Sequence, residues 1–237
     1  SALPPERVEP AEAIGIPGAG ARRALESSIA HVSSLEDAIR DMAPADQHAV
    51  LSFIGRFDSS AYAFSTAEEY AWMLARGFPS PQEIANAAHL DIDTLKARAA
   101  SGDAKAAYFL VDRVMEEFPY DAGVAHDVAW LNAEAMTRLH QAMGTSSPFA
   151  GYVLSSMARR SKGVHPIFEL VGLQVAYELG DARAQASAGE VGQRLMREVP
   201  DAGPHAALLA MQAQRTMVEV FDPMAFSPSR RTPIPGH

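Results

Sequence analysis

The residues best suited to chemistry in this chain are its histidines, its serines and two pairs of adjacent glutamates. Eight histidines could act as bases or bind a metal, but no two are spaced as His-Glu-x-x-His, the helical zinc motif of metalloproteases. No serine lies in a Gly-x-Ser-x-Gly turn, and the chain has no cysteine to supply a thiolate. The sequence therefore predicts no catalytic residues, no metal site and no cofactor.

The paired carboxylates and a glycine-rich segment offer no better candidates. The neighbours in Glu68-Glu69 and Glu116-Glu117 point about 100° apart on a helix, so neither pair is arranged for acid–base catalysis. The segment 15–20 is rich in glycine but contains Pro17, follows no predicted strand and lacks the lysine of a phosphate-binding loop. We interpret that segment as part of a linker.

Charge and hydropathy limit the classes of partner. The chain of 237 residues has a net charge of −9, and an acidic surface repels phosphate backbones, so nucleic acid is not an expected partner. No apolar run approaches the roughly 20 residues that a transmembrane helix needs. A protein or a peptide is therefore the expected partner.

The local sequence is that of a helical protein. Alanine, leucine, methionine and glutamate dominate residues 22–221, and no window shows the sustained alternation of a strand. Ser80-Pro81-Gln82-Glu83 has the pattern of a capping box, and Thr66 and Asp91 are placed to cap two more helices. These signals predict an all-α fold.

A five-residue motif, which we call the Gly-Asp motif, occurs twice and indicates an internal repeat. Gly102-Asp103-Ala104-Lys105-Ala106 returns as Gly180-Asp181-Ala182-Arg183-Ala184, and a degenerate copy at Gly144 lies between them. The glycine is suited to ending one helix in a left-handed conformation, and the aspartate to capping the next. The glycines recur about every 40 residues, a spacing typical of helical hairpins stacked in an array.

The helix-ending glycines and the capping residues divide the chain into predicted helices. The first helices of three hairpins are expected at 103–117, 147–160 and 181–198. The second helices are expected at 125–142, 166–179 and 204–220. Less regular helices are expected upstream, at 22–42, 45–56, 66–76, 81–88 and 91–101.

Residues 91–220 resemble the Sel1-like repeats, relatives of the tetratricopeptide repeats. The resemblance rests on Ala99-Ala100-Ser101-Gly102-Asp103 and on Gly180-Asp181, each followed by an alanine; the middle copy keeps Gly144 but lacks the aspartate. It implies a right-handed α-α superhelix, or solenoid, that acts as a protein–protein interaction scaffold. The family has no common catalytic residues, and in bacteria it is frequent among exported proteins.

We therefore predict four segments. Residues 1–21 form a Pro- and Gly-rich tether, 22–90 an irregular helical region packed on the array, 91–221 the repeat array, and 222–237 an irregular tail. A tether of this kind suits a protein exported behind a signal peptide or lipid anchor, which favours a periplasmic or envelope location over a cytoplasmic one. An arbitrary start of the sequence is the alternative.

Two tyrosines are the candidate partner-binding residues. Tyr108 and Tyr152 occupy comparable places on consecutive first helices, which line the concave surface of such arrays, and aromatic residues are preferred anchors of interfaces. Core packing is the alternative for both, and it is the preferred interpretation for Trp72 and Trp130. The predicted function is a non-catalytic scaffold for a protein or peptide. The alternatives are a hydrolase-like enzyme with its site in the N-terminal half and a self-associating structural protein of the envelope.

Overall fold

The computed structural model describes residues 32–117, 134, 137–139, 141–142, 147–160, 167–198 and 233–236, and no strand occurs among them. Its α-helices are α1 (Leu35–Ile39), α2 (Pro44–Ile54), α3 (Ala67–Ala75), α4 (Pro81–Ala88), α5 (Ile92–Ala100), α6 (Ala104–Glu117), α7 (Pro148–Arg160), α8 (Ile167–Glu178) and α9 (Ala184–Glu198), with a 3-10 helix at Ser59–Tyr62. The all-α prediction is confirmed. The superhelical arrangement of the hairpins stays a prediction, and Gly144, Trp130 and the predicted helix 204–220 lie outside the described residues.

The helix starts that the sequence predicts are present. The Ser80 side chain accepts a hydrogen bond from the Glu83 amide (3.3 Å), while the Glu83 carboxylate accepts one from the Ser80 amide (2.7 Å). This reciprocal pair is a capping box and begins α4. Thr66 and Asp91 each accept a hydrogen bond from the amide three residues further on, so they cap α3 and α5.

Both described copies of the Gly-Asp motif join one helix to the next as predicted. Gly102 and Gly180 have φ angles of 97° and 105°, the left-handed region that favours glycine at the end of a helix. Asp103 then accepts a hydrogen bond from the amide three residues on (3.1 Å) and caps α6. In the later copy Asp181 caps a short turn, and α9 begins three residues after it.

The closest helix contact joins α7 to α8, and two glycines make it possible. A Cβ atom built on Gly151 would lie 2.5 Å from the Gly172 carbonyl oxygen, and one built on Gly172 would lie 2.5 Å from the Gly151 carbonyl oxygen. Both separations are far below van der Waals contact. One turn further on, Ser155 and Ala176 continue the same line of small residues. The backbones of these two helices therefore touch, which no other residue type would allow at either glycine.

The core is built around Phe149, near the start of α7. This ring is fully buried and lies against rings from the N-terminal helices and from α6. The ring centroids of Phe57, Phe78, Tyr108, Tyr62 and Phe53 lie 5.1, 5.2, 5.2, 5.8 and 6.3 Å from it, respectively. Phe149 thus joins residues before α5 to the predicted repeat region in one hydrophobic cluster.

Segments distant in sequence also meet at the last Gly-Asp junction. Arg76, at the end of α3, donates a hydrogen bond to the Leu179 carbonyl oxygen (2.9 Å). Ile234 of the predicted C-terminal tail is buried, and its amide donates to the Gly180 carbonyl oxygen (3.1 Å). The described residues of that tail, 233–236, pack on the helices at Ile234.

Replacement of Gly151 by alanine tests the α7–α8 contact. The added methyl group would overlap backbone atoms of α8, and overpacking of this kind costs about 1–3 kcal/mol. We expect Gly151→Ala to lower the free energy of unfolding by at least the upper part of that range in urea denaturation. Gly192→Ala on α9 is the matched control, because a Cβ there meets nothing within 4 Å in the described structure. It should be neutral or stabilise by up to about 1 kcal/mol. Equal effects of the two substitutions would contradict the contact.

Candidate functional site

The structure does not place the two candidate tyrosines on an open surface. Tyr108 and Tyr152 are both fully buried, each at 0% relative exposure. Tyr108 packs against Phe149, and Tyr152 packs against Phe78. Neither ring can anchor a partner from this position, so the partner-binding prediction is corrected to its alternative, core packing. The reason is that the N-terminal helices cover the face of α6 and α7 that an open array would leave free. Trp72 is buried as well, which agrees with the core-packing interpretation preferred for it.

The Tyr152 hydroxyl belongs to a buried polar network at the second Gly-Asp junction. Tyr152 donates to Asp181 (3.1 Å), and the Asp181 carboxylate pairs with the Arg183 guanidinium through Nε (2.8 Å) and Nη2 (2.6 Å). The side chains of Arg183 and Asp181 are only 5% and 0% exposed. Burial alone would lower the pKa of Arg183, but its bonds to Asp181 outweigh burial and raise it. The ion pair is therefore retained inside the core.

Arg183 carries this network to the N-terminal region. Its Nη1 donates to the Ala63 carbonyl oxygen (2.9 Å), a residue 120 positions earlier in the chain. Its guanidinium carbon lies 5.8 Å from the ring centroid of Trp72 and 5.6 Å from that of Phe78. These are cation–π distances. The arginine thus satisfies a backbone acceptor and packs its flat faces on aromatic rings.

The other end of the network is a group of hydroxyls around Asp58. Its Oδ1 accepts hydrogen bonds from the hydroxyls of Ser60 and Ser187, each 2.6 Å long. The Ser60 oxygen lies 3.3 Å from the Tyr152 hydroxyl, which connects the two ends. Burial opposes ionisation of Asp58, but the bonds from Ser187 and Ser60 outweigh it and lower the pKa of this carboxyl. A carboxylate with a lowered pKa is a weak base, so it is poorly suited to activate either serine.

A cleft of about 530 Å³, which we call the α2–α6 cleft, opens among the described residues. Its floor is lined by apolar side chains from four different helices: Phe109 is partly exposed, whereas Phe53, Ile84 and Leu95 are almost completely buried. Polar side chains surround the floor, and several of them belong to the last turns of α6. Such a combination of apolar floor and polar edge is typical of binding clefts.

A buried aspartate that lines the cleft pairs with two arginines. Asp112 Oδ2 lies 2.7 Å from Arg56 Nη2, and its Oδ1 lies 2.9 Å from Arg160 Nη1. We call these three residues the arginine clamp; Arg56 also contacts Glu116 (3.0 Å). Burial raises the pKa of Asp112, although both arginines favour its ionised form. The clamp fixes α6 to α7 and to the end of α2.

Sequence reasoning missed the clamp, yet a signal for Asp112 was available. Tyr108, Val111 and Met115 form the apolar stripe of α6, and Asp112 lies inside that stripe. A charged residue at a core position needs a partner, so it predicts a buried ion pair. The identity of the partners depends on the tertiary arrangement and had no local signal.

A second groove, of about 420 Å³, lies beside the first Gly-Asp junction. Its charged side chains are engaged with one another or with neighbouring residues: Lys105 contacts Glu83 (2.8 Å), and Asp103 contacts Arg98 (2.8 Å). Tyr108 lies beneath this groove with its ring buried. The groove therefore offers a polar surface without the apolar floor of the α2–α6 cleft.

No protein-family model, no curated protein and no solved structure matches the chain. Within the described ranges, no helix is both long enough and apolar enough to cross a membrane. The described residues also contain no group of three or more histidine or carboxylate side chains that could hold a metal ion.

The two Gly-Asp junctions provide a matched test of the buried ion pair. Asp181→Ala would leave the buried Arg183 without its counter-charge, which costs about 3–5 kcal/mol. Asp103→Ala removes a helix cap whose carboxylate is 30% exposed, which costs about 1 kcal/mol. We expect urea denaturation to show the larger loss for the first variant. Similar losses for both would mean that the ion pair adds nothing beyond capping.

The Asp58 end of the network predicts a pH dependence of stability. The pKa of Asp58 is lowered by folding, so its carboxylate stabilises the protein above the unfolded value of about 3.9. That contribution is lost as the pH falls through the lowered pKa. The difference in unfolding free energy between the native protein and Asp58→Asn should be constant from about pH 7 to pH 5 and shrink below about pH 4. Ser187→Ala, which removes a bond to the carboxylate, should move this loss to higher pH. A difference that does not change with pH would contradict the assignment.

Proposed function

We propose that this protein is a non-catalytic binding module that holds a peptide segment of a partner protein in the α2–α6 cleft. The observation that carries the proposal is the cleft itself, a solvent-open site with an apolar floor built from four helices. The arginine clamp and the Phe149 cluster fix these helices before any partner arrives. A preformed site of this kind avoids much of the ordering cost of binding.

The state of the charged groups favours binding over catalysis. In the cleft, the carboxylate of the buried Asp112 is occupied by two arginines. A general base or nucleophile needs a side chain that is free to reach a substrate atom. Groups already paired in this way are better suited to shaping a surface. This observation supports the scaffold over the hydrolase-like alternative.

The Gly-Asp junctions support the Sel1-like interpretation of the array. Both described copies combine a left-handed glycine with a capping aspartate, and α5–α6, α7–α8 and α8–α9 are packed neighbours along the chain. We infer that the hairpins form a short superhelix whose N-terminal part is covered by helices α1 to α4. In such a protein the partner surface lies between the covering helices and the array, which is where the cleft is found.

Panning a random peptide library on the native protein tests this function. Ala88 is exposed on α4 and lines the cleft, so Ala88→Trp fills the opening without disturbing the core. Ala97→Trp is the matched control, because it adds the same ring to an exposed position on α5 outside the cleft. Peptides enriched on the native protein should lose at least about tenfold in affinity with Ala88→Trp, equal to about 1.4 kcal/mol.

The same peptides should bind Ala97→Trp as they bind the native protein. Failure to enrich any peptide, or equal affinity for both tryptophan variants, would overturn the proposed function. Sedimentation of the unliganded protein distinguishes the self-association alternative. A concentration-dependent dimer that Ala88→Trp abolishes would assign the cleft to a second copy of the chain instead of a partner peptide.

A further inference from the structure

The exposed charge at the edge of the α2–α6 cleft is negative, although arginines are also present. The side chains of Glu116 and Glu117 are 50% and 43% exposed, whereas those of Arg56 and Arg113 are only 22% and 24% exposed. An incoming molecule therefore meets the carboxylates first. We call Glu116 and Glu117 the acidic edge.

The arginines beneath the acidic edge are committed to the protein. Arg56 contacts the buried Asp112, and its guanidinium lies 6.0 Å from the Phe53 ring centroid. Arg113 donates a hydrogen bond to the Ala88 carbonyl oxygen (3.2 Å) as well as contacting Glu117. An acidic ligand would have to compete with these contacts for either arginine. Release of Arg56 would also leave a buried carboxylate with one partner fewer, which is costly.

The carboxylates of the acidic edge, in contrast, are available at little cost. Each carboxylate is about half exposed although its arginine partner is mostly covered, and ion pairs that are open to solvent contribute about 0–1 kcal/mol each. A cation from a partner can add to or replace these contacts while the Arg56–Asp112 pair stays in place. The whole chain carries a net charge of −9, which attracts a basic partner over longer range.

We propose that the α2–α6 cleft recognises a basic amphipathic segment of a partner protein. An apolar side chain of that segment enters the cleft and packs on the floor formed by Phe53, Ile84, Leu95 and Phe109. A lysine or arginine near it in the partner contacts Glu116 and Glu117. This inference rests on the proposed function and adds to it the chemical class of the partner.

Two synthetic peptides with identical leucine positions test the charge of the partner. One carries lysine and the other glutamate at the remaining charged positions, and fluorescence anisotropy measures the affinity of each for the full chain. The lysine peptide should bind at least about tenfold more tightly than the glutamate peptide. Its affinity should fall when the ionic strength rises from about 0.15 M to about 1 M, because exposed charges are then screened.

Variants of the cleft test whether the lysine peptide contacts the acidic edge. Glu116→Gln/Glu117→Gln should lower the affinity for the lysine peptide at least about tenfold, and so should Ala88→Trp. Asp93→Asn/Glu190→Gln is the control, because it makes the same change in net charge at exposed positions away from the cleft. It should retain the native affinity. Thermal unfolding of each variant establishes that it is folded at the temperature of the binding measurement.

The outcomes separate this inference from the proposed function. The inference is overturned if the glutamate peptide binds as tightly as the lysine peptide, or if the acidic-edge and control variants weaken binding equally. If library panning yields neutral or acidic peptides that Ala88→Trp excludes, the binding function stands and the basic partner is wrong. If no peptide depends on Ala88, both proposals fail.

Discussion

The ion pair between Asp181 and Arg183 is the interaction on which the arrangement of the helices depends. It is almost completely buried, and Arg183 reaches both the Ala63 carbonyl oxygen and the rings of Trp72 and Phe78. A buried pair of this kind must be well satisfied to be tolerated, because each charge loses its hydration. The contacts from Tyr152 and Ala63 supply that satisfaction. The second Gly-Asp junction can therefore exist in this form only while the N-terminal region is packed against it.

This dependence distinguishes the protein from an open helical array. In an open array each repeat contacts only its neighbours. Here Ser187 on α9 bonds to Asp58, 129 residues earlier, and Phe149 at the start of α7 packs against rings that precede α5. The segments before α5 thus share one hydrophobic core with the helices that follow them. That coverage buries Tyr108 and Tyr152, and the α2–α6 cleft opens between the covering helices and α6.

The sequence was sufficient for features that are local and insufficient for those that depend on distant segments. Capping at Ser80 and Asp91 and the left-handed glycines at 102 and 180 depend on a few adjacent residues, and each was predicted at its position. The environments of the two aspartates were not predicted. The two motifs differ only in Lys105 and Arg183, and no local signal says that Arg183 is buried with Asp181 whereas Lys105 reaches Glu83. The contact between Gly151 and Gly172 was missed for the same reason. The sequence shows small residues at these positions, but no local signal says which pair of helices brings them together.

The carboxylates of the α2–α6 cleft differ in burial, and this difference determines what each of them can do. Asp112 holds two arginines in a buried clamp, so its charge is neutralised and the cleft wall is rigid. Glu116 shares Arg56 with Asp112 but is half exposed, so its contact can exchange for one with a partner at little cost. Asp112 and Glu116 lie one helical turn apart on α6, so the buried carboxylate shapes the cleft and the exposed one is the proposed contact for a partner. Because Arg56 touches both carboxylates, a partner cation at Glu116 would leave Arg56 paired with Asp112.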